Sequence, residues 1–145
     1  MIGRVMALDV GDRRVGVAVS DLLRVIAQGQ DTFERRGKRE DLLHVSALIE
    51  THDVTCVVVG WPLEPSGQPG AQAKKTQRFI DDVLAPTGLE VEKWDERMTS
   101  VAAERVLRET GTRRKRRQKG NVDKIAATLI LQGWLDARGD TGRLP

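Results

Sequence analysis

The chain has 145 residues, the size of one ordinary domain, and its 39% hydrophobic and 31% charged residues are enough for a single core. Aromatic residues make up only 3%, which excludes broad stacking platforms for unpaired bases, and the single cysteine, Cys56, excludes an intrachain disulfide. No apolar run approaches the ~20 residues that span a membrane, and the N-terminus shows no signal peptide, so we expect a cytoplasmic protein.

The positive charge is concentrated in one segment, the basic strip (113–119). Its cations are Arg113, Arg114, Lys115, Arg116, Arg117 and Lys119. Because these six cations exceed the net charge of +3, the rest of the chain carries a net charge of −3. The asymmetry favours a polyanionic partner whose phosphates the strip binds, although a solvated, disordered charge run is the alternative.

Three strands are predicted first. Residues 4–10 form an apolar run that ends at a Gly-Asp turn, and in residues 14–20 valines alternate with smaller or polar residues. The short connection makes these two strands a hairpin, and a third strand is predicted at 27–33. The first part of the chain is therefore an antiparallel meander.

Helices alternate with strands in the rest of the chain. Periodicity and turn residues predict strands at 54–59 and 89–94 and helices at 38–51, 71–84, 100–109 and 122–137. This order predicts an α/β domain with a mixed five-stranded sheet, its first three strands antiparallel and the others parallel, with helices on both faces. We expect one domain over 1–145, in which 137–145 form a flexible tail.

Three acids occupy positions where α/β folds build sites. Asp9 lies near the end of the first strand, Glu96 directly follows the last strand, and Asp123 is placed at the start of the last helix. Ends of parallel strands and helix N-termini meet at one edge of such sheets. Clustered carboxylates require a cation, and hard oxygen ligands select Mg²⁺ or Mn²⁺.

Each acid also has a simpler interpretation. Asp9 could shape the turn with Gly11, Asp123 could interact with the helix dipole beside an Asn121 cap, and Glu96 could form a surface ion pair. Asp9 is the strongest candidate, because an acid within an apolar strand carries a desolvation cost.

Four blocks of the chain resemble the bacterial YqgF (RuvX-like) family. They are RVMALDVGDRRVGVAVSD at 4–21, VVVGWPLEPSGQPG at 57–70, WDERMTSVAAERVL at 94–107 and NVDKIAATLILQGWL at 121–135. The resemblance covers nearly the whole chain, and the third and fourth blocks are together fairly specific. It implies a ribonuclease H-like fold, with Asp9, Glu96 and Asp123 as the acidic metal site.

The residues and the resemblance together predict a nuclease that depends on Mg²⁺ or Mn²⁺. The expected substrate is structured RNA, in the maturation of the 5′ end of pre-16S ribosomal RNA, with Arg97 and the basic strip holding phosphates. The first alternative is a Holliday junction resolvase, which would act on four-way DNA as a homodimer. A nucleotide-binding domain of the actin and sugar-kinase type and a non-catalytic RNA-binding module are further alternatives.

Overall fold

The sheet of the protein has β1 at its centre. A computed structural model describes residues 3–64, 66–98 and 119–143. Its five strands follow the order β3-β2-β1-β4-β5. Their bounds are β1 Arg4–Val10, β2 Arg14–Ser20, β3 Ala27–Glu34, β4 Val54–Trp61 and β5 Glu90–Asp95. β1 pairs antiparallel with β2 and parallel with β4, so the predicted mixed sheet is confirmed.

Helices cover both faces of this sheet, as predicted. The helices of the described residues are α1 Lys38–His52, α2 Ala71–Phe79 and α3 Lys119–Arg143. Val45 of α1 and Phe79 of α2 pack on one face against Leu8. On the other face, Leu131 and four further residues of α3 pack against a second apolar cluster. Burial of each such valine or leucine contributes roughly 1.5–3 kcal/mol.

The predicted helix at 71–84 ends earlier as an α-helix than its apolar pattern indicates. α2 stops at Phe79, and the chain continues as a π-helical turn at Ile80–Leu84 and a 3-10 turn at Ala85–Thr87. Pro86 explains the change, because its ring has no N–H to donate and crowds the carbonyl one turn earlier.

The last helix is longer than predicted. α3 begins at Lys119, before the predicted start at 122, and ends at Arg143, beyond the predicted end at 137. Asn121 is therefore a helical residue and not the cap, and Asp123 is the fifth residue of the helix. The helix predicted at 100–109 lies outside the described residues. Within the part of the chain that the structure describes, no helix is long and apolar enough to cross a membrane.

Candidate functional site

Asp9 lies at the carboxyl end of the central strand and faces α3. Its neighbours Leu8 and Val10 pack into the core under α1 and α2, so the alternation of the strand turns Asp9 towards the other face. Asp9 is half-buried, one residue before the strand ends. This position places a carboxyl group among apolar residues at the edge where β1, β4 and β5 all end.

Gly16 makes room for Asp123 beside Asp9. Gly16 is the β2 partner of Asp9, and a side chain on it would collide with the backbone carbonyl of Asp123. The register between β2 and β3 also shifts at this point, between Val15 and Val17. α3 can therefore approach the sheet closely here, and this contact holds Asp123 next to Asp9.

Gly60 of β4 makes room for Glu96 on the other side of Asp9. It follows Val59, the β4 partner of Leu8, so Gly60 comes level with Asp9 on the neighbouring strand. A Cβ atom built on Gly60 would lie 2.6 Å from Oε1 of Glu96. Two glycines thus flank Asp9 on its two neighbouring strands, and each is covered by one of the other two acids.

The three predicted acids influence one another electrostatically. Burial first, and then the charges of Glu96 and Asp123, raise the pKa of Asp9 to about 8. Burial also raises the pKa of Glu96. The hydrogen bond between the two side chains adds to the rise at Asp9 and opposes the rise at Glu96, so the two carboxyl groups share a proton.

This arrangement fits a hard divalent cation. The donor atoms are carboxylate oxygens, the ligands that Mg²⁺ and Mn²⁺ prefer. Burial, and then the charges of Glu96 and Asp123, make the ionised form of Asp9 unfavourable, and a cation that replaced the shared proton would offset both effects.

Arg14 provides a positive charge within the site itself. Its Nε donates to Oδ2 of Asp123 at 3.2 Å, and about a quarter of each side chain is exposed. Arg14 begins β2 two residues before Gly16, so both lie on the same face of the strand. The guanidinium therefore partly neutralises the acidic cluster.

Arg97 lies at the same edge, although it is engaged by a neighbour. It donates from Nε and Nη2 to the carboxylate of Asp95, at 3.0 and 2.7 Å, and these hydrogen bonds lower the pKa of Asp95. A Cβ atom on Gly67 would lie 3.4 Å from Nη1 of Arg97. This contact places the loop after β4 at the same edge of the sheet.

Most of the predicted basic strip falls outside the described part of the chain. The strip residues Arg113, Arg114, Lys115, Arg116 and Arg117 lie outside the described residues, and Lys119 is the first residue of α3. Sequence reasoning also missed Arg14, Gly16 and Gly60. A glycine between two valines of a strand signals a close approach, so Gly16 could have been found, whereas the partner of Arg14 is 109 residues away.

A second group of possible ligands lies at the opposite edge of the sheet. Sγ of Cys56 and one carboxylate oxygen each of Glu90 and Glu92 lie within 4.8 Å of one another. Burial raises the pKa of the Cys56 thiol to about 11, and Arg138 donates to both carboxylate oxygens of Glu92 at 2.7 Å. Cys56 is therefore a buried, protonated thiol beside a neutralised carboxylate.

Comparison with known proteins agrees with this geometry. The sequence pattern of a family described as RuvX, Holliday junction resolvase, matches residues 3–137. The chain belongs to this family of nucleases. One relative, from Clostridioides difficile (strain 630), is 47% identical over 92% of this chain and 94% of its own length. Another, from Myxococcus xanthus (strain DK1622), is 44% identical over 92% and 88%. Both are provisionally named pre-16S rRNA nucleases.

Solved structures place the RuvX chain among ribonuclease H-like folds. Thermus thermophilus RuvC, solved with a Holliday junction substrate, aligns over 96% of this chain and 97% of its own, with a TM-score of 0.59 and 15% identity. A fowlpox virus resolvase with Holliday junction DNA aligns over 93% and 98%, with a TM-score of 0.53 and 11% identity. At these identities the likeness concerns the fold alone, and it confirms the predicted fold class.

Proposed function

We propose that this RuvX-family chain is a divalent-metal-dependent endonuclease of the cytoplasm that matures the 5′ end of pre-16S ribosomal RNA, with 1–145 as one nuclease domain. The observation that carries the proposal is the convergence of Asp9, Glu96 and Asp123 at one edge of the sheet, where burial and mutual repulsion raise the pKa of Asp9. A nuclease of this fold needs such a cluster for its cations.

Each acid reaches the cluster from a different element, which gives the site a rigid frame. Asp9 is fixed by the central strand, Glu96 by the turn after β5, and Asp123 by the contact of α3 with Gly16. These three carboxylates would hold Mg²⁺ or Mn²⁺. When bound, such ions activate water and stabilise the leaving oxygen of a phosphodiester.

The basic residues of the chain complete this scheme. Arg97 is exposed beside the loop after β4, where Asp95 restrains its guanidinium, and a restrained guanidinium binds a phosphate with little loss of freedom. The basic strip precedes Asp123 directly in the sequence, so we propose that its cations hold phosphates next to the acidic cluster.

RNA is favoured as the polymer by the relatives, because those with 39–47% identity over more than nine-tenths of the chain carry a pre-16S rRNA nuclease name. The description of the family supports a second candidate, resolution of four-way DNA junctions. A resolvase cuts two strands symmetrically and therefore acts as a homodimer, whereas cleavage of one RNA strand requires only a monomer.

The decisive experiment compares both polymers under the same conditions. The protein is incubated with precursor 16S rRNA and with a four-way DNA junction in Mg²⁺, in Mn²⁺ and in EDTA, with the Asp9→Asn variant as control. We expect metal-dependent cleavage of the RNA and a loss of at least about a thousandfold in the variant, since an amide cannot neutralise the cation. Full activity of Asp9→Asn would refute the assigned site. Cleavage of the junction alone would select the second candidate.

A further inference from the structure

A second set of cations lies at the same edge of the sheet as the acidic cluster, on the face that α1 and α2 cover. We call it the basic face, and its members are Arg13, Arg36, Lys38, Arg39, Lys74 and Arg78. They come from three segments: the β1–β2 turn, the residues around the start of α1, and α2, where Arg78 lies in the last turn. All six residues are exposed. The basic face is distinct from the basic strip, which precedes α3 in the sequence.

Hydrogen bonds hold these three segments together at the end of β1. The backbone N–H of Arg35, just before α1, donates to the carbonyl of Arg13 at 2.7 Å. Gln72 Nε2 of α2 donates to the carbonyl of Val10 at 3.3 Å, and Lys75 pairs with Asp12 at 3.2 Å. The basic face is therefore built on the same strand end that carries Asp9.

Part of this charge is neutralised and part is not. Arg36 pairs with Glu34 at 3.6 Å, and Lys38 pairs with Asp82 at 3.8 Å. Among the described residues, no ion pair is formed by Arg13, Arg39, Lys74 or Arg78. The unpaired charge on this side of the edge is thus mainly positive.

The start of α2 is electropositive, with the carboxylate of Glu64 beside its N-cap residue Gly70. Its first turn contains no acid, its N-cap residue Gly70 supplies no side-chain hydrogen bond, and Lys74 and Lys75 follow at once. Cations at the positive end of a helix dipole are unfavourable by several tenths of a kcal/mol unless an anion binds there. A phosphate bound to Lys74 would add negative charge at this helix end.

We infer that the basic face binds the phosphates of the RNA that flanks the cleavage site, on the opposite side of the acidic cluster from α3. This inference rests on the proposed function and extends it, because it names a surface that guides the substrate across the edge. An extended polyanion fits better than a single small anion, since the unpaired cations are spread over three segments.

The test measures how binding depends on salt. A labelled hairpin RNA and a DNA hairpin of the same sequence are titrated in EDTA, so that no cleavage occurs, over a range of KCl concentrations. The variant Arg39→Gln/Arg78→Gln removes two cations of the basic face. The control Arg24→Gln/Arg138→Gln removes two arginines that border a cavity of about 390 Å³ at the opposite edge.

Each phosphate contact contributes about 0.7–0.9 to the slope of log K against log salt. We therefore expect the basic-face variant to lose about 1.4–1.8 from this slope and to bind RNA at least about tenfold more weakly at ~0.1 M salt. The control and the charge-conserving Arg39→Lys/Arg78→Lys variant keep the wild-type slope. Thermal unfolding verifies that all variants are folded.

A wild-type slope in Arg39→Gln/Arg78→Gln overturns the inference, and so does an equal loss in the control or an absence of RNA binding by the wild type. A loss of slope on DNA alone would also overturn it. Cleavage is scored separately. If the wild type cleaves no polymer but Arg39→Gln/Arg78→Gln loses salt dependence of RNA binding, the proposed function fails and the inference about the basic face stands. If the wild type cleaves RNA but this variant keeps the wild-type salt dependence, only the inference fails.

Discussion

The backbone carbonyl of Asp123 lies in the space that a side chain on Gly16 would occupy. Since Gly16 is the β2 partner of Asp9, this single contact sets how closely α3 brings Asp123 to Asp9. The geometry of the acidic cluster therefore depends on a glycine that carries no chemistry of its own.

We predict that Gly16→Ala displaces the start of α3. The added methyl group meets backbone, which cannot rotate away, so the free energy of unfolding should fall by about 1–3 kcal/mol. Mn²⁺ binding should weaken as well, because Asp123 moves with the helix. Urea unfolding and calorimetric titration with Mn²⁺ measure the two effects.

Gly29→Ala is the matched control. Gly29 also lies on a strand under α3, but the atoms nearest to its built Cβ are Cγ of Lys124 at 2.6 Å and Oγ1 of Thr128 at 2.9 Å, which belong to side chains that can move. Gly29→Ala should therefore lower the free energy of unfolding clearly less than Gly16→Ala does. Equal losses in both variants would mean that the contact of Gly16 with Asp123 has no special role.

The shared proton of the acidic cluster predicts how stability depends on pH without metal. The pKa of Asp9 is about 8 when folded against 3.8 for an ordinary aspartate, so the folded protein keeps a proton that the unfolded chain releases between these values. The stabilisation is complete below about pH 4 and is lost as the pH rises through about 8, with a slope of up to ~1.4 kcal/mol per pH unit.

Asp9→Asn should remove the contribution of Asp9 to this slope, because an amide does not ionise, and should make the metal-free protein more stable than the wild type at pH 8. Urea unfolding in EDTA at several pH values tests this, with the exposed Asp12→Asn as the control that keeps the slope. The expectation is wrong if wild-type stability is constant from pH 5 to 8, which would mean that Asp9 is ionised throughout.

The sequence predicts the sheet, its mixed topology and the three acids, because apolar periodicity and position at strand ends are local signals. Its errors are also local. The pattern of 71–84 does not reveal that a π-helical turn and a 3-10 turn containing Pro86 follow α2. The early start of α3 at Lys119 leaves Asn121 inside the helix.

The site itself could be predicted only in part. The acids stand out singly, but their convergence depends on Gly16 and Gly60, which admit Asp123 and Glu96 from distant parts of the chain. The pair between Arg14 and Asp123 could not be predicted, because no spacing rule connects residues that meet only through the packing of α3 on β2.

Cys56 should be inert in the folded protein. It is buried under α3, and burial raises its pKa to about 11, so almost no reactive thiolate exists at pH 8. A thiol reagent should label no cysteine in native protein and one cysteine per chain in urea. Rapid labelling of the native protein would indicate that the part of α3 that covers Cys56 opens readily.

Arg14→Gln should strengthen metal binding. The guanidinium of Arg14 lies 3.2 Å from the Asp123 carboxylate and repels any cation that enters the cluster. Because both side chains are partly exposed, solvent screens this repulsion to about 1 kcal/mol, which corresponds to a gain of about fivefold in Mn²⁺ affinity. Lys75→Gln removes an equal charge from the Asp12 pair and serves as the control. Weaker Mn²⁺ binding in Arg14→Gln would show instead that Arg14 holds Asp123 in its binding position.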